Sequence, residues 1–285
     1  MNARHARTLS RKHESGETRK GIWDHTLLSC FPFRVSAVPC FRDCILCLVI
    51  LASFVCASSA APIAEQDLKA RIEAATKGFK DLTATVTVGE KNKAALTKVD
   101  ADYARLYEFR SAVLQLKAPD RIRIDSKLGM VKFEYIIAGG KKIFRAPKVK
   151  VNKVDDYSSD PAKLQSPLDL GIVTPQLWVG RRVEVLDDPD ALAKGEIALK
   201  LTWLKGDMVN LIWLDATNLW LKRFEKRDAK GNLRVRVVYS NPQNPGGVIW
   251  MPTKVELYAP DGDKAGSTDL TDIKVNTDLP DSLFK

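Results

Sequence analysis

The side chains that most often carry out chemistry are confined to one end of this chain. All five cysteines (Cys30, Cys40, Cys44, Cys47, Cys56) and all three histidines (His5, His13, His25) lie in the first 56 of 285 residues. From Ala61 onward neither type occurs. That stretch has no imidazole for general acid/base work, no thiolate nucleophile and no Ser-His-Asp triad. It also lacks the ligands of most zinc, iron and copper sites, which leaves oxygen-ligand ions such as calcium. Carboxylate pairs remain, as glycoside hydrolysis requires. The adjacent acids Asp155-Asp156 and Asp187-Asp188 are the candidates, and both pairs sit in segments that read as loops. Asp261-Gly262-Asp263 has the beginning of a calcium loop without further ligands at the required spacing, and reads as a hairpin turn. Gly139-Gly140 and Gly246-Gly247 are isolated turn pairs rather than a phosphate-binding loop. These residues point to binding rather than catalysis, with no cofactor and no metal.

The confinement has a simple source. Residues 44–61, CILCLVILASFVCASSAA, form an uncharged apolar run preceded by Arg34 and Arg42 and closed by small residues. A basic flank, an apolar core and a small-x-small end make a secretory signal, with cleavage expected after Ala60. A retained single-span anchor is the alternative, because about 17 apolar residues is the lower limit for spanning a bilayer. The organisation expected is therefore an extension and signal over 1–60 and one domain over 61–285. The latter carries 37 basic and 31 acidic residues, a net +6. That charge suits anionic headgroups or an acidic partner as well as plain solubility. Nucleic acid is excluded by the export signal and by the scatter of the charges along strands.

Elements must position whatever binds. Residues 63–79 place Ile63, Leu68, Ile72, Ala75 and Phe79 at helical spacing, stopped near Gly78. Residues 83–88 alternate as a strand, 91–102 read as a polar loop, and 103–116 resume strand character. Within 114–147, Ile122 and Ile124 share one face, as do Val131, Phe133, Tyr135 and Ile137, with turns at Leu128-Gly129 and Gly139-Gly140. After Pro147 and one short strand to Asp156 the period of two is lost. Asp160-Pro161, Ser166-Pro167 and Thr174-Pro175 are three helix starts ahead of Leu164, Leu168, Leu170, Ile172, Leu177 and Trp178. Strands return from Arg181 to Val275, including 248–250. The fold expected is α+β and mainly antiparallel: a half-open curved sheet or incomplete barrel of about ten or eleven strands, with an N-terminal helix and a mid-chain helical lid. Trp203 and Trp213, in phase with Leu201 and Leu211, are expected on the apolar side. A sheet of this size with so few helices either packs shut or leaves an apolar cavity.

Four motifs, in order along 79–284, resemble the LolA/LolB-like superfamily of outer-membrane lipoprotein-sorting proteins. They are Phe79-Lys80-Asp81-Leu82-Thr83-Ala84 and Lys117-Ala118-Pro119-Asp120-Arg121-Ile122-Arg123, then 214–222 with Asp228-Ala229-Lys230-Gly231-Asn232, and finally Val275 to Phe284. The resemblance implies a half-open barrel with a helical lid over a cavity for lipoprotein acyl chains. It also implies a periplasmic location, transfer toward the outer membrane, and as partners an inner-membrane ABC transporter and an outer-membrane acceptor. The family's lid-latching arginine precedes the motif proline; here that position is Ala118, so the latch does not carry over. On this reading Val86, Leu116, Ile122, Ile124, Phe133, Tyr135, Leu201, Trp203 and Trp213 line the cavity, and Leu164, Leu168, Leu177 and Trp178 belong to the lid. A sensor of the same fold that binds a signalling protein in the envelope is the alternative.

Overall fold

The computed structural model describes residues 63–285 apart from 101–103, 105, 106 and 207. The extension, the apolar run and all the cysteines and histidines lie outside the described residues. Thirteen antiparallel strands form one open sheet in the order β6-β5-β4-β3-β2-β1-β13-β12-β11-β10-β9-β8-β7. These are β1 (Asp81–Lys91), β2 (Ser111–Lys117), β3 (Arg121–Leu128), β4 (Val131–Ala138), β5 (Lys141–Ala146), β6 (Val151–Asp156), β7 (Arg181–Val185), β8 (Glu196–Trp203), β9 (Val209–Asp215), β10 (Leu221–Arg227), β11 (Leu233–Gln243), β12 (Met251–Tyr258) and β13 (Lys264–Val275). The number exceeds the ten or eleven expected because even the short run at β6, exposed on both faces, pairs fully with β5. The first and last strands pair at the middle of the sheet, Leu82 opposite Val275 and Val86 opposite Leu270. The free edges are β6 and β7.

One face of the sheet is apolar and curved inward. Leu82 and Ala84 of β1, Leu114 and Leu116 of β2, and Ile122 of β3 pack with Ile137, Met251 and Leu270. A second, larger cluster joins β7–β12 through Val183, Leu199, Leu201, Ile212, Phe224, Val237 and Leu257. Alternation produces this, since every second side chain falls on the same side. The helix α1 (Glu65–Thr76) buries Leu68 and Ile72 against the second cluster, as its spacing predicts.

Three local expectations change. Residues 93–99 form a helix, α2 (Lys93–Val99), rather than a polar loop: Asn92 caps it by accepting from the Ala95 amide at 3.2 Å, and Ala95 and Leu96 are buried. Two apolar contacts suffice to fix a short capped helix that a polar composition conceals. Strand character resumes only at Ser111, with Tyr107 packed into the core as part of a turn. Residues 248–250 are not a strand; the chain passes through a 3-10 turn at Pro245–Gly247, and pairing starts at Met251.

The outer face carries two small covers. Helix α3 (Pro189–Ala193), which the sequence reading also missed, is capped by Asp188 and sets Ala191 on Ala198 and Trp213. The C-terminal tail brings Leu279 and Phe284 onto Ile136 and Ile143. Buried Asp81 holds that tail by accepting from the Thr277 amide at 2.7 Å and the Leu279 amide at 3.3 Å. Lys117 donates to the Leu279 carbonyl and to Asp281, both at 2.6 Å.

Candidate functional site

The apolar hollow is roofed by residues 157–180, which connect β6 to β7 and so link the two free edges of the sheet. This segment is built from three proline-led 3-10 turns, Pro161–Lys163, Pro167–Leu170 and Pro175–Trp178. Proline at the first position supplies the required φ and forfeits only an amide that would be unpaired there. Ser166 and Asp169 close the middle turn, the Ser166 amide and hydroxyl donating to Asp169 Oδ2 at 2.9 and 3.0 Å. Gly171 follows at φ +81°, where a Cβ would lie 2.5 Å from Pro252 Cγ and 3.0 Å from the Tyr239 ring. Only glycine lets the roof sit this close to β11 and β12.

The expected lid residues all face inward. Leu168 and Leu177 are buried in the larger cluster, with Trp178 packed against it. Leu164 packs on the smaller one, beside buried Ile172. The Trp178 indole donates to Glu65 at 2.9 Å, tying the roof to α1. The Tyr135 hydroxyl donates to Gln165 of the roof.

The expected wall residues divide into groups. Val86, Leu116, Ile122, Ile124 and Tyr135 share the smaller cluster with Leu164 and Ile172. Leu201 is in the larger cluster with Leu168 and Leu177. Phe133 is buried at the margin, its ring 4.3 Å from that of Phe109 and 6.0 Å from that of Phe144. Trp203 is half-buried beneath the Arg181 guanidinium, which lies 4.0 Å from its ring centroid. Trp213 does not face the hollow. It packs with Ala191, Ala198 and Leu211, under the Arg223 guanidinium at 3.6 Å, and its indole donates to Asp188 at 3.4 Å. β9 is apolar on both sides, Ile212 and Leu214 inward and Leu211 and Trp213 outward, so alternation alone gave no parity.

A polar group interrupts the apolar hollow beneath the roof, and sequence reasoning missed it. Lys226 of β10 pairs directly with Asn210 of β9, which in turn faces Leu201 of β8. Lys226 Nζ donates to Asp169 Oδ1 at 3.0 Å, an ion pair from sheet to roof. Arg181, at the start of β7 and only 8% exposed, donates from one Nη to the Gln176 carbonyl at 3.5 Å. Among the described residues, Arg181 Nε and Asn210 Oδ1 are buried without a hydrogen-bond partner. Burial would by itself raise the Asp169 carboxyl, but Lys226 and the Ser166 donors outweigh it and hold it below the usual carboxylate range. Burial pulls the Arg181 guanidinium below its ordinary value, and Asp169 only partly offsets this. Two cations and one carboxylate thus sit together in an apolar setting. A narrow gap lined by Ser166, Leu168, Thr174, Leu177 and Arg181 adjoins them.

A cleft of about 260 Å³ opens elsewhere, between α1, the turn at Thr217-Asn218-Leu219 and residues 244–250. None of the expected wall residues lines it. The acidic pairs are each engaged locally. Lys153 pairs with Asp155 at 2.9 Å, Asp156 accepts from the Ser158 amide and hydroxyl, and Asp188 caps α3. Asp261 and Asp263 occupy a turn and hold Lys98. Among the described residues no helix is long and apolar enough to cross a membrane.

No protein-family model matches this sequence, and no curated protein matches it as a relative. Solved structures do resemble its fold. An outer membrane lipoprotein-sorting protein domain from Vibrio parahaemolyticus matches at a TM-score of 0.53 and 13% identity, over 77% of this chain and 95% of that one. A LolA superfamily protein from Nitrosomonas europaea matches at 0.49 and 15% identity, over 78% and 98%. The described residues share a fold with the Vibrio domain, and that fold, an open antiparallel sheet with an N-terminal helix, is the architecture the sequence resemblance implied.

Proposed function

We propose that this protein is a periplasmic carrier, residues 61–285 forming the binding domain behind a leader, and that it shields the acyl chains of a lipoprotein or another lipid between sheet and roof. The observation that carries this reading is the apolar inward face covered, beside α1, by a turn-built segment that is attached only at the two free edges of the sheet. The roof packs directly on the apolar face, and the gap beside Leu168, Leu177 and Arg181 is too narrow for an acyl chain. Loading therefore displaces the roof. Exposing its buried Leu168, Ile172, Val173 and Leu177 costs roughly 6–12 kcal/mol at about 1.5–3 kcal/mol each. Shielding one chain of about fifteen methylenes returns about 12 kcal/mol at about 0.8 kcal/mol per CH₂. The two are comparable, so an acyl chain exchanges for the roof near balance, as a carrier that both loads and unloads requires. An inner-membrane ABC transporter and an outer-membrane acceptor are the partners this role calls for.

The protein expressed from its full coding sequence is expected to co-purify with lipid or acylated peptide detectable by mass spectrometry. A lipid-free protein that also ignores acylated peptides would overturn the reading. A second reading, a sensor that binds a protein, is favoured by β6. Its one unpaired edge and both water-facing sides suit strand addition by an extended partner. Crosslinking that captures one specific partner, with no extraction of lipoproteins from membranes, would favour it instead.

A further inference from the structure

The polar group beneath the roof has no role in packing an acyl chain, and its composition calls for an explanation. Burying charge in an apolar interior is costly unless it is fully paired. Here the pairing of Arg181 is incomplete: the Asp169 carboxylate that acts on it is bonded to Lys226, and Arg181 Nε donates to nothing among the described residues. Asn210 beside them likewise has a buried Oδ1 without a partner. The group lies against Leu201, Leu168 and Leu177 of the apolar interior. Asp169, the carboxylate that bonds Lys226, belongs to the roof and not to the sheet.

From this we infer that Arg181 and Lys226 are a receiving site for the anionic head of a single-chain lipid, a carboxylate or phosphate, and that Asp169 occupies it as a stand-in while the roof is closed. The inference rests on the carrier reading and adds a ligand class to it. Guanidinium is suited to the task because its planar fork binds carboxylate or phosphate through two parallel hydrogen bonds, and Nε is one of the donors in that fork. An arriving anion replaces Asp169 on Lys226 and satisfies Nε of Arg181. The released Asp169 leaves with the roof, so head recognition and opening are one exchange. The ring of Trp203 beneath the guanidinium fixes its plane, so little side-chain entropy is lost on binding.

The test is calorimetric titration of the full-length protein with laurate, dodecyl phosphate and dodecanol at pH 8, repeated on Arg181→Met, Arg181→Lys and Asp169→Asn. At least one of the two anions is expected to bind wild type tenfold or more tightly than dodecanol, and the stronger of them names the source of the head. Arg181→Met should lose that preference, with a circular dichroism spectrum and thermal transition like those of wild type showing that the variant is folded. Arg181→Lys should keep part of it. Asp169→Asn should raise the ratio of anion to alcohol affinity, because the internal competitor is gone. Equal binding of anion and alcohol by wild type, or a preference that survives Arg181→Met, overturns the inference and leaves the carrier reading standing. If none of the three ligands binds wild type, the inference falls, and the carrier reading is decided by the lipid or acylated peptide that co-purifies.

Discussion

Asp169 bonds both within the roof and across to the sheet. It caps its own turn through Ser166 and reaches Lys226 across to the sheet, while its side chain keeps only 20% exposure. Its carboxyl is depressed in the folded state, so its contribution is present above the unfolded value of about 3.9 and is lost as pH falls through the lower folded one. Roof closure is therefore expected to be constant from neutral pH down to about 4 and to weaken below it. Asp169→Asn should reproduce the acid form at pH 7, weakening closure by about 1.5–3 kcal/mol, the value of a hydrogen bond to a charged group. Proteolysis between residues 157 and 180 measures this; cleavage at the wild-type rate would show that the pair contributes nothing. Little of this was legible in the sequence. Arg181 in phase with Val183 and Asn210 with Ile212 are single polar residues on otherwise apolar faces, and that is a signal; Lys226 gives none, because Lys222 shares its phase with Phe224. Only the fold reveals that the three lie together and that Asp169, distant in sequence from two of them, completes the group.

At the scale of elements, the strands and the three turns of the roof could be read from the chain, because alternation and Ser/Thr/Asp-Pro steps are local. What could not be read depended on tertiary contact. α2 was hidden because only Ala95 and Leu96 of its seven residues are buried. Trp213 was placed on the wrong face because β9 is apolar on both. Gly171 gave no hint of its importance, since its constraint comes from Pro252 and Tyr239 far along the chain. Gly171→Ala forces a non-glycine residue to a left-handed conformation and a Cβ into the Pro252 ring, at a cost of about 1–3 kcal/mol for the backbone alone. The roof should then seat poorly while the sheet stays intact. Cleavage within 157–180 should become faster, and cleavage in the strands should be unchanged. Equal protection of the roof in the variant would mean that it is not held against β11 and β12 in solution.

For the whole molecule, the pairing of β1 with β13 places the two ends of the domain at the centre of the sheet and leaves its weakest strands at the margins. β1 has a neighbour on each side and buries Leu82 and Ala84, whereas β6 has one neighbour and lies in water. Amide hydrogen exchange should accordingly be slowest in β1, β2 and β13 and fastest in β6, because local opening is easiest where burial is least. Protection of β6 equal to that of β1 would indicate that another chain covers that edge in solution. The attachment of the roof to both margins has a mechanical consequence. The 24 residues between Asp156 and Arg181 would reach about 80 Å if pulled straight, against about 4.8 Å for the width of one strand. The connecting segment is therefore long compared with the spacing of neighbouring strands. On the carrier reading proposed above, the stiffness of the sheet, rather than the length of this tether, would set the size of cargo admitted.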